Sequence, residues 1–159
     1  MLRAAHFDGG RLILSLGNGL GAIVDSGGPL GEFCEREGLS AAVVNRVEVI
    51  FEEVVANIVR HGFAPGSGQS ISVEVAMAGD DIVLIFVDDG SAFNPTQRAA
   101  PAPSTQLADA PIGGLGIVLV RRLARTVEYA RLGASVGEFQ AVNRLTVQVA
   151  AGSRLPAGQ

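Results

Sequence analysis

Three short groups of residues in this 159-residue chain have the types and spacing to do chemistry. The first is Glu53 with Asn57, four apart and therefore stacked on one face if their segment is helical. A carboxylate there can act as a base, and an amide oxygen can hold a hard cation such as Mg²⁺. The second is Asp88-Asp89-Gly90, where an apolar run ends. An aspartate at a strand end can accept a hydrogen bond from an exocyclic amine such as that of adenine, and a neighbouring glycine leaves room for the ring. The third is Gly113-Gly114-Leu115-Gly116, which opens an apolar segment. Glycines there let backbone approach a phosphate, and the free N–H groups of a helix start face it. Each group alone has a plainer reading: a solvated helix edge, a turn, a tight strand-to-helix entry.

The elements that must position these groups are legible around them. In residues 39–62, Val43, Val44, Val47, Ile50, Phe51, Val54, Val55 and Ile58 fall on one arc of a helix, roughly 140° wide, as expected for packing on a sheet. Glu53 and Asn57 lie at its edge, near Arg46 and Arg60 in angle. Ser40 is placed to be its N-cap and Gly62 its left-handed C-terminal residue. Residues 70–78 alternate with period two, and residues 81–87 are nearly all apolar, as in a central strand, with Gly79-Asp80 as the hairpin turn. Residues 11–16 read as a first strand. Gly27-Gly28-Pro29 predicts a break, with a short helix from Pro29 to about Glu37 that Gly38 ends. Residues 63–69 read as a loop, and residues 96–112, with three prolines and no period, as a long functional one. Ile117, Val120, Leu123 and Ala124 share one side of a helix after the glycines. Residues 127–132 and 143–150 read as the last strands, joined by a turn at 133–137. The order predicts a two-layer α/β sandwich: a mixed, mostly antiparallel sheet with helices on one face. Residues 1–10 read as a lead, 11–150 as one domain and 151–159 as a frayed tail.

Composition narrows the function. A hydrophobic share of 48% and a mean hydropathy of +0.35 indicate a globular chain with a substantial core. A net charge of −4 gives no reason to expect nucleic-acid or anionic-membrane binding. All twelve basic residues are arginine, which excludes a P-loop lysine and Schiff-base chemistry. The single Cys34 forms no internal disulfide and reads as a core residue in a reducing compartment. With two histidines far apart from it, a zinc site is not expected. His6, Asp8 and Arg11 interrupt any signal-peptide core, and residues 82–87 are too short to span a bilayer, so the expectation is a soluble cytoplasmic protein.

Taken together, the three groups resemble the GHKL ATPases (the Bergerat fold), and within them the small anti-sigma factor serine/threonine kinases of partner switching. Glu53, Asn57, His61 and Gly62 match that family's N box; Asp88, Gly90, Phe93, Asn94 and Pro95 match its G1 box; Gly113, Gly114, Leu115 and Gly116 match its G2 box. The likeness covers about residues 11–150. It implies ATP/ADP and Mg²⁺ as cofactors. Glu53 would be the general base for a serine or threonine hydroxyl, or for water. Asn57 would hold Mg²⁺, Asp88 would bind the adenine amine with Gly90 permitting close approach, and residues 96–112 would be the lid. Arg98 in that lid is a candidate for the γ-phosphate, although a solvated loop arginine is the simpler reading. His61 reads more simply as a helix-end residue, and Arg121 and Arg122 as a solvent-facing pair. Ala92 stands where many relatives have glycine, which predicts strain if that position needs φ > 0.

The resemblance implies a protein serine/threonine kinase that phosphorylates a STAS-domain anti-anti-sigma partner, sequesters a sigma factor or other regulator, and forms a homodimer. An alternative from another class is a nucleotide-dependent binding module without kinase activity, which needs the same pocket. A histidine-kinase catalytic domain is a third reading, disfavoured because no phospho-acceptor helix pair is visible ahead of the domain.

Overall fold

The computed structural model describes residues 1–63, 70–92, 94–97, 115–133 and 142–152. Phe93, Arg98, Gly113, Gly114, all of the expected lid beyond Gln97, the 64–69 part of the first loop, most of the 133–137 turn and the tail from 153 lie outside the described residues. In chain order come β1 (Leu2–Asp8), β2 (Arg11–Gly17), α1 (Gly21–Arg36), α2 (Ala41–His61), β3 (Ser70–Ala78), β4 (Asp81–Asp88), a 3₁₀ turn (Pro95–Gln97), α3 (Leu115–Leu123), β5 (Thr126–Leu132) and β6 (Val142–Ala150). The six strands form one sheet in the order β1-β2-β3-β4-β6-β5, and every pairing is antiparallel. This is the α/β sandwich that the sequence predicts.

The core lies between the sheet and α1, α2 and α3. Strand alternation sends Leu12, Leu14, Leu16, Ile71, Val73, Val75, Ile82, Leu84, Phe86, Leu145, Val147 and Val149 to the covered face. The apolar arc of α2 packs on them, with Val47, Ile50, Val54 and Val55 essentially inaccessible. Each such side chain contributes about 1.5–3 kcal/mol relative to remaining exposed. Helix α2 is therefore held by its buried face along its whole length, which fixes where Glu53 and Asn57 stand. Strand β4 is central, as expected; Ile82, Leu84 and Phe86 are buried on one of its faces, and Val83, Ile85 and Val87 are half-buried on the other.

Three local expectations are corrected. The 1–10 lead contains β1, an edge strand paired with β2 and carrying an irregularity between Leu2 and Ala4. Its alternation is weak because an edge strand buries little, although Phe7 does pack on the core and under the Arg36 guanidinium, 4.0 Å from the ring centre. Helix α1 is continuous through Gly27-Gly28-Pro29. Burial of Ala22, Ser26, Leu30, Phe33 and Cys34 along one face outweighs the local cost of proline inside a helix. Gly38 ends it as expected, at φ +62, with the Gly38 and Leu39 N–H groups donating back to the Glu35 and Cys34 carbonyls. Gly62 closes α2 differently: its φ is −82, and its N–H continues the helical pattern to the Ile58 carbonyl at 2.7 Å.

Candidate functional site

Helix α2 presents Asn57 to a cleft also lined by Val54, Ile58, Gly62, Asp88, Pro95, Tyr129, Asn143 and Leu145. The cleft opens between the C-terminal half of α2, the end of β4 and the facing ends of β5 and β6. Among the described residues nothing hydrogen-bonds the Asn57 side chain, and it is only half-buried, so its amide is available to a ligand. Glu53, one turn earlier, opens on a neighbouring recess with Gly116, Val118, Leu119 and Arg122. A Cβ at Gly116 would overlap the Glu53 carboxylate at Oε2. The base candidate therefore lies directly against the first turn of α3, where that helix's free N–H groups begin.

Asp88 ends β4 on the covered face and is only 6% exposed. Its Oδ1 accepts from the Gly90 N–H at 3.0 Å and from Asn143 Nδ2 at 2.9 Å. Among the described residues no donor reaches Oδ2. Burial pushes the Asp88 carboxyl above the usual range, and nearby Asp89 adds to this. The bonds from Asn143 and Gly90 and the charge of Arg131 act against it. Asn143 in turn donates to the Ser91 carbonyl at 2.9 Å and accepts from Tyr129 Oη at 2.6 Å and Arg131 at 2.8 Å. Arg131 also donates to the Gly90 carbonyl at 2.8 Å. Asn143, Tyr129 and Arg131 were not legible as site residues: Asn143 meets Asp88 only through the β4–β6 register, 55 residues away in sequence.

The glycine at 90 makes room for the backbone at the end of α2. A Cβ there would overlap the Gly62 carbonyl and come within 2.8 Å of Asp88 Oδ1, and the next residue, Ser91, donates its N–H to that same carbonyl at 2.8 Å. The end of α2 and the turn after β4 are thus stitched together backbone to backbone. Asn94 accepts from the Thr96 N–H and Oγ1, which sets the turn that buries Pro95 beside the cleft. Ala92 is exposed, and no non-glycine residue among those described has a positive φ, so the strain expected there does not arise. His61 is an exposed residue in the last turn of α2 and does not line the cleft. Arg121 is more than solvent-facing: it donates to the Pro95 carbonyl at 3.4 Å. Arg122 lines the Glu53 recess.

The donor set fits a nucleotide with Mg²⁺. A buried acceptor faces the cleft at Asp88, an amide with no hydrogen-bond partner among the described residues stands at Asn57, and a helix start lies by Glu53. Among the described residues no cluster of three or more His, Cys, Asp or Glu could hold a metal alone. A single amide suits Mg²⁺ that takes its other ligands from phosphates and water. Among the described residues no helix is long and apolar enough to cross a membrane.

Comparison with known proteins agrees with this geometry. Residues 29–138 match the histidine kinase-like ATPase domain family. The chain is 31% identical over 96 residues to the serine/threonine-protein kinase BtrW of Bordetella bronchiseptica, covering 60% of this chain and 68% of that protein.

Proposed function

Because the chain belongs to the histidine kinase-like ATPase domain family, we propose that it is an ATP-dependent protein serine/threonine kinase of the anti-sigma type. Its substrate would be a STAS-domain partner in a partner-switching pair. The observation that carries this reading is the arrangement on α2: Asn57 shares a cleft with Asp88, and Glu53 one turn away lies against the start of α3. A nucleotide with its amine on Asp88 Oδ2 would run its phosphates past Asn57 toward α3. Glu53 would accept the proton of the attacking hydroxyl as its oxygen bonds the γ-phosphorus; the bond from that phosphorus to the β,γ-bridging oxygen would break, the phosphoryl group would pass to the hydroxyl, and ADP would leave. When bound, Mg²⁺ would neutralise charge on the phosphates, and Asn57 is the residue to hold it. A phosphoryl group adds nearly two negative charges to the partner's surface, which suffices to reverse a protein contact. The relative named as a serine/threonine kinase supports the protein hydroxyl as acceptor.

The test is phosphate transfer from Mg-ATP to a purified STAS-domain protein, read as phosphoserine or phosphothreonine by mass spectrometry. Transfer that disappears with Glu53→Ala supports the kinase. ATP-dependent complex formation without any phosphorylated partner would replace it with a nucleotide-gated binding module. Phosphohistidine on a partner would place the chain with the histidine kinases instead.

A further inference from the structure

Asn143 has used all of its hydrogen-bonding capacity. Its two amide hydrogens go to Asp88 Oδ1 and the Ser91 carbonyl, and its carbonyl oxygen takes both Tyr129 Oη and Arg131. Turning the amide over would set its oxygen against a carboxylate and a carbonyl, and its hydrogens against a guanidinium. Only one orientation is possible. The three charged or polar groups also form one row across the sheet, since Arg131 pairs with Asn143 and Asn143 pairs with Asp88 on the covered face. Tyr129, two residues back on β5, reaches Asn143 diagonally. With Gly90 and Asn143 both on Oδ1, the carboxylate of Asp88 cannot rotate without losing two bonds, and Oδ2 is left as the acceptor for the cleft.

We propose that Asn143, locked by Tyr129 and Arg131, is the positioning residue that fixes Asp88 Oδ2 toward the cleft and thereby selects a base bearing an exocyclic amine over one bearing a carbonyl. This rests on the reading of the cleft as a nucleotide site and adds the residues that set its base selectivity. An adenine amine meets a fixed acceptor there. The guanine carbonyl at the equivalent position meets the same acceptor, so it repels. When the fixing bonds are removed, the carboxylate swings, the amine contact is lost, and a guanine nucleotide that never profited from it loses little.

The experiment is calorimetric titration of the full chain with Mg-ATP and, separately, Mg-GTP, for the wild type, Asn143→Leu, Tyr129→Phe and Arg131→Met. The wild type should bind ATP more tightly than GTP. Asn143→Leu should weaken ATP by about tenfold, as expected for a hydrogen bond to a charged group. Its GTP affinity should move much less, so the ratio shrinks. Tyr129→Phe and Arg131→Met should shift the ratio the same way by smaller factors, and they carry the test if Asn143→Leu does not fold. A merely structural role would weaken both nucleotides by one factor, and that result overturns the inference. So does a wild type that binds ATP and GTP alike, or an unchanged ratio in every variant; both leave the nucleotide site itself standing. A wild type that binds neither nucleotide overturns the functional reading and the inference together.

Discussion

The Glu53 carboxylate lies over Gly116 so closely that a β-carbon on the glycine would overlap Oε2. The atom in the way is the end of a flexible side chain, so Gly116→Ala displaces the carboxylate rather than the helices. The variant should keep its melting temperature to within a few degrees. It should still bind ATP, but its phosphate-transfer rate should fall by about tenfold or more, since general-base catalysis contributes roughly 10²–10⁴-fold and depends on reach. Single-turnover transfer set beside nucleotide titration separates the two. A loss of ATP binding equal to the loss of rate would show that Glu53 placement is not what changed.

Glu53→Ala itself should abolish transfer while leaving the ATP dissociation constant nearly unchanged, and Asp88→Ala should lose ATP binding. Both are read from titration and from phosphorylated partner on the same samples. Normal transfer by Glu53→Ala would remove it as the base.

Burial raises the Asp88 carboxyl above the ordinary aspartate value, and this fixes the sign of two pH effects. The folded chain holds the proton more tightly than the unfolded one. Between the ordinary and the raised value, stability therefore falls as pH rises. Asp88→Asn, which carries no charge to bury, should melt no lower than wild type at neutral pH, with any advantage vanishing as pH falls through that window. ATP affinity moves the other way: it is lost on acidification through the raised value, because Oδ1 keeps its two bonds and the proton on Oδ2 presents an O–H donor to the amine. Melting curves and titrations over a pH series check both directions.

Gly90→Ala meets backbone rather than a side chain, since its β-carbon would overlap the Gly62 carbonyl. The turn after β4 must move, and the Ser91 N–H to Gly62 bond goes with it. The expected cost is about 1–3 kcal/mol, as for other overpacked sites, measurable by denaturant unfolding. An unchanged midpoint would mean that the turn relaxes freely.

Cys34 is 1% exposed, and burial pushes its thiol up to about 11. Thiolate is the reactive form, so alkylation of the native chain at pH 8 should be at least about a hundredfold slower than in denaturant. Rapid labelling of folded protein would show that α1 opens readily.

How much of this was legible from sequence divides along physical lines. Helix α2 was readable because its signal is local: one apolar arc with Glu53 and Asn57 at its edge, and the structure keeps that arc buried. The β3–β4 hairpin was readable for the same reason, through Gly79 at φ +62. Pro29 misled because its helix-breaking cost is local, whereas the packing of Leu30, Phe33 and Cys34 that overrides it is not. Strand β1 was missed because an edge strand carrying His6 and Arg3 needs little apolar pattern. The groups holding Asp88 were hidden for a deeper reason. Asn143 is an ordinary asparagine until strand register sets it opposite an aspartate, and nothing near it in the chain announces that register.

The position of β6 has a consequence for biosynthesis. This strand slots between β4 and β5 in the sheet, although it is made after both. Until it emerges from the ribosome, the inner edge of β4 has no neighbour and its backbone donors and acceptors are open to other strands. A nascent chain stalled at residue 138, where the family match ends, would carry Glu53, Asn57 and Asp88 yet lack Asn143. Such an intermediate holds the acid, the amide and the acceptor without the clamp, and its unpaired strand edge is a natural target for chaperones.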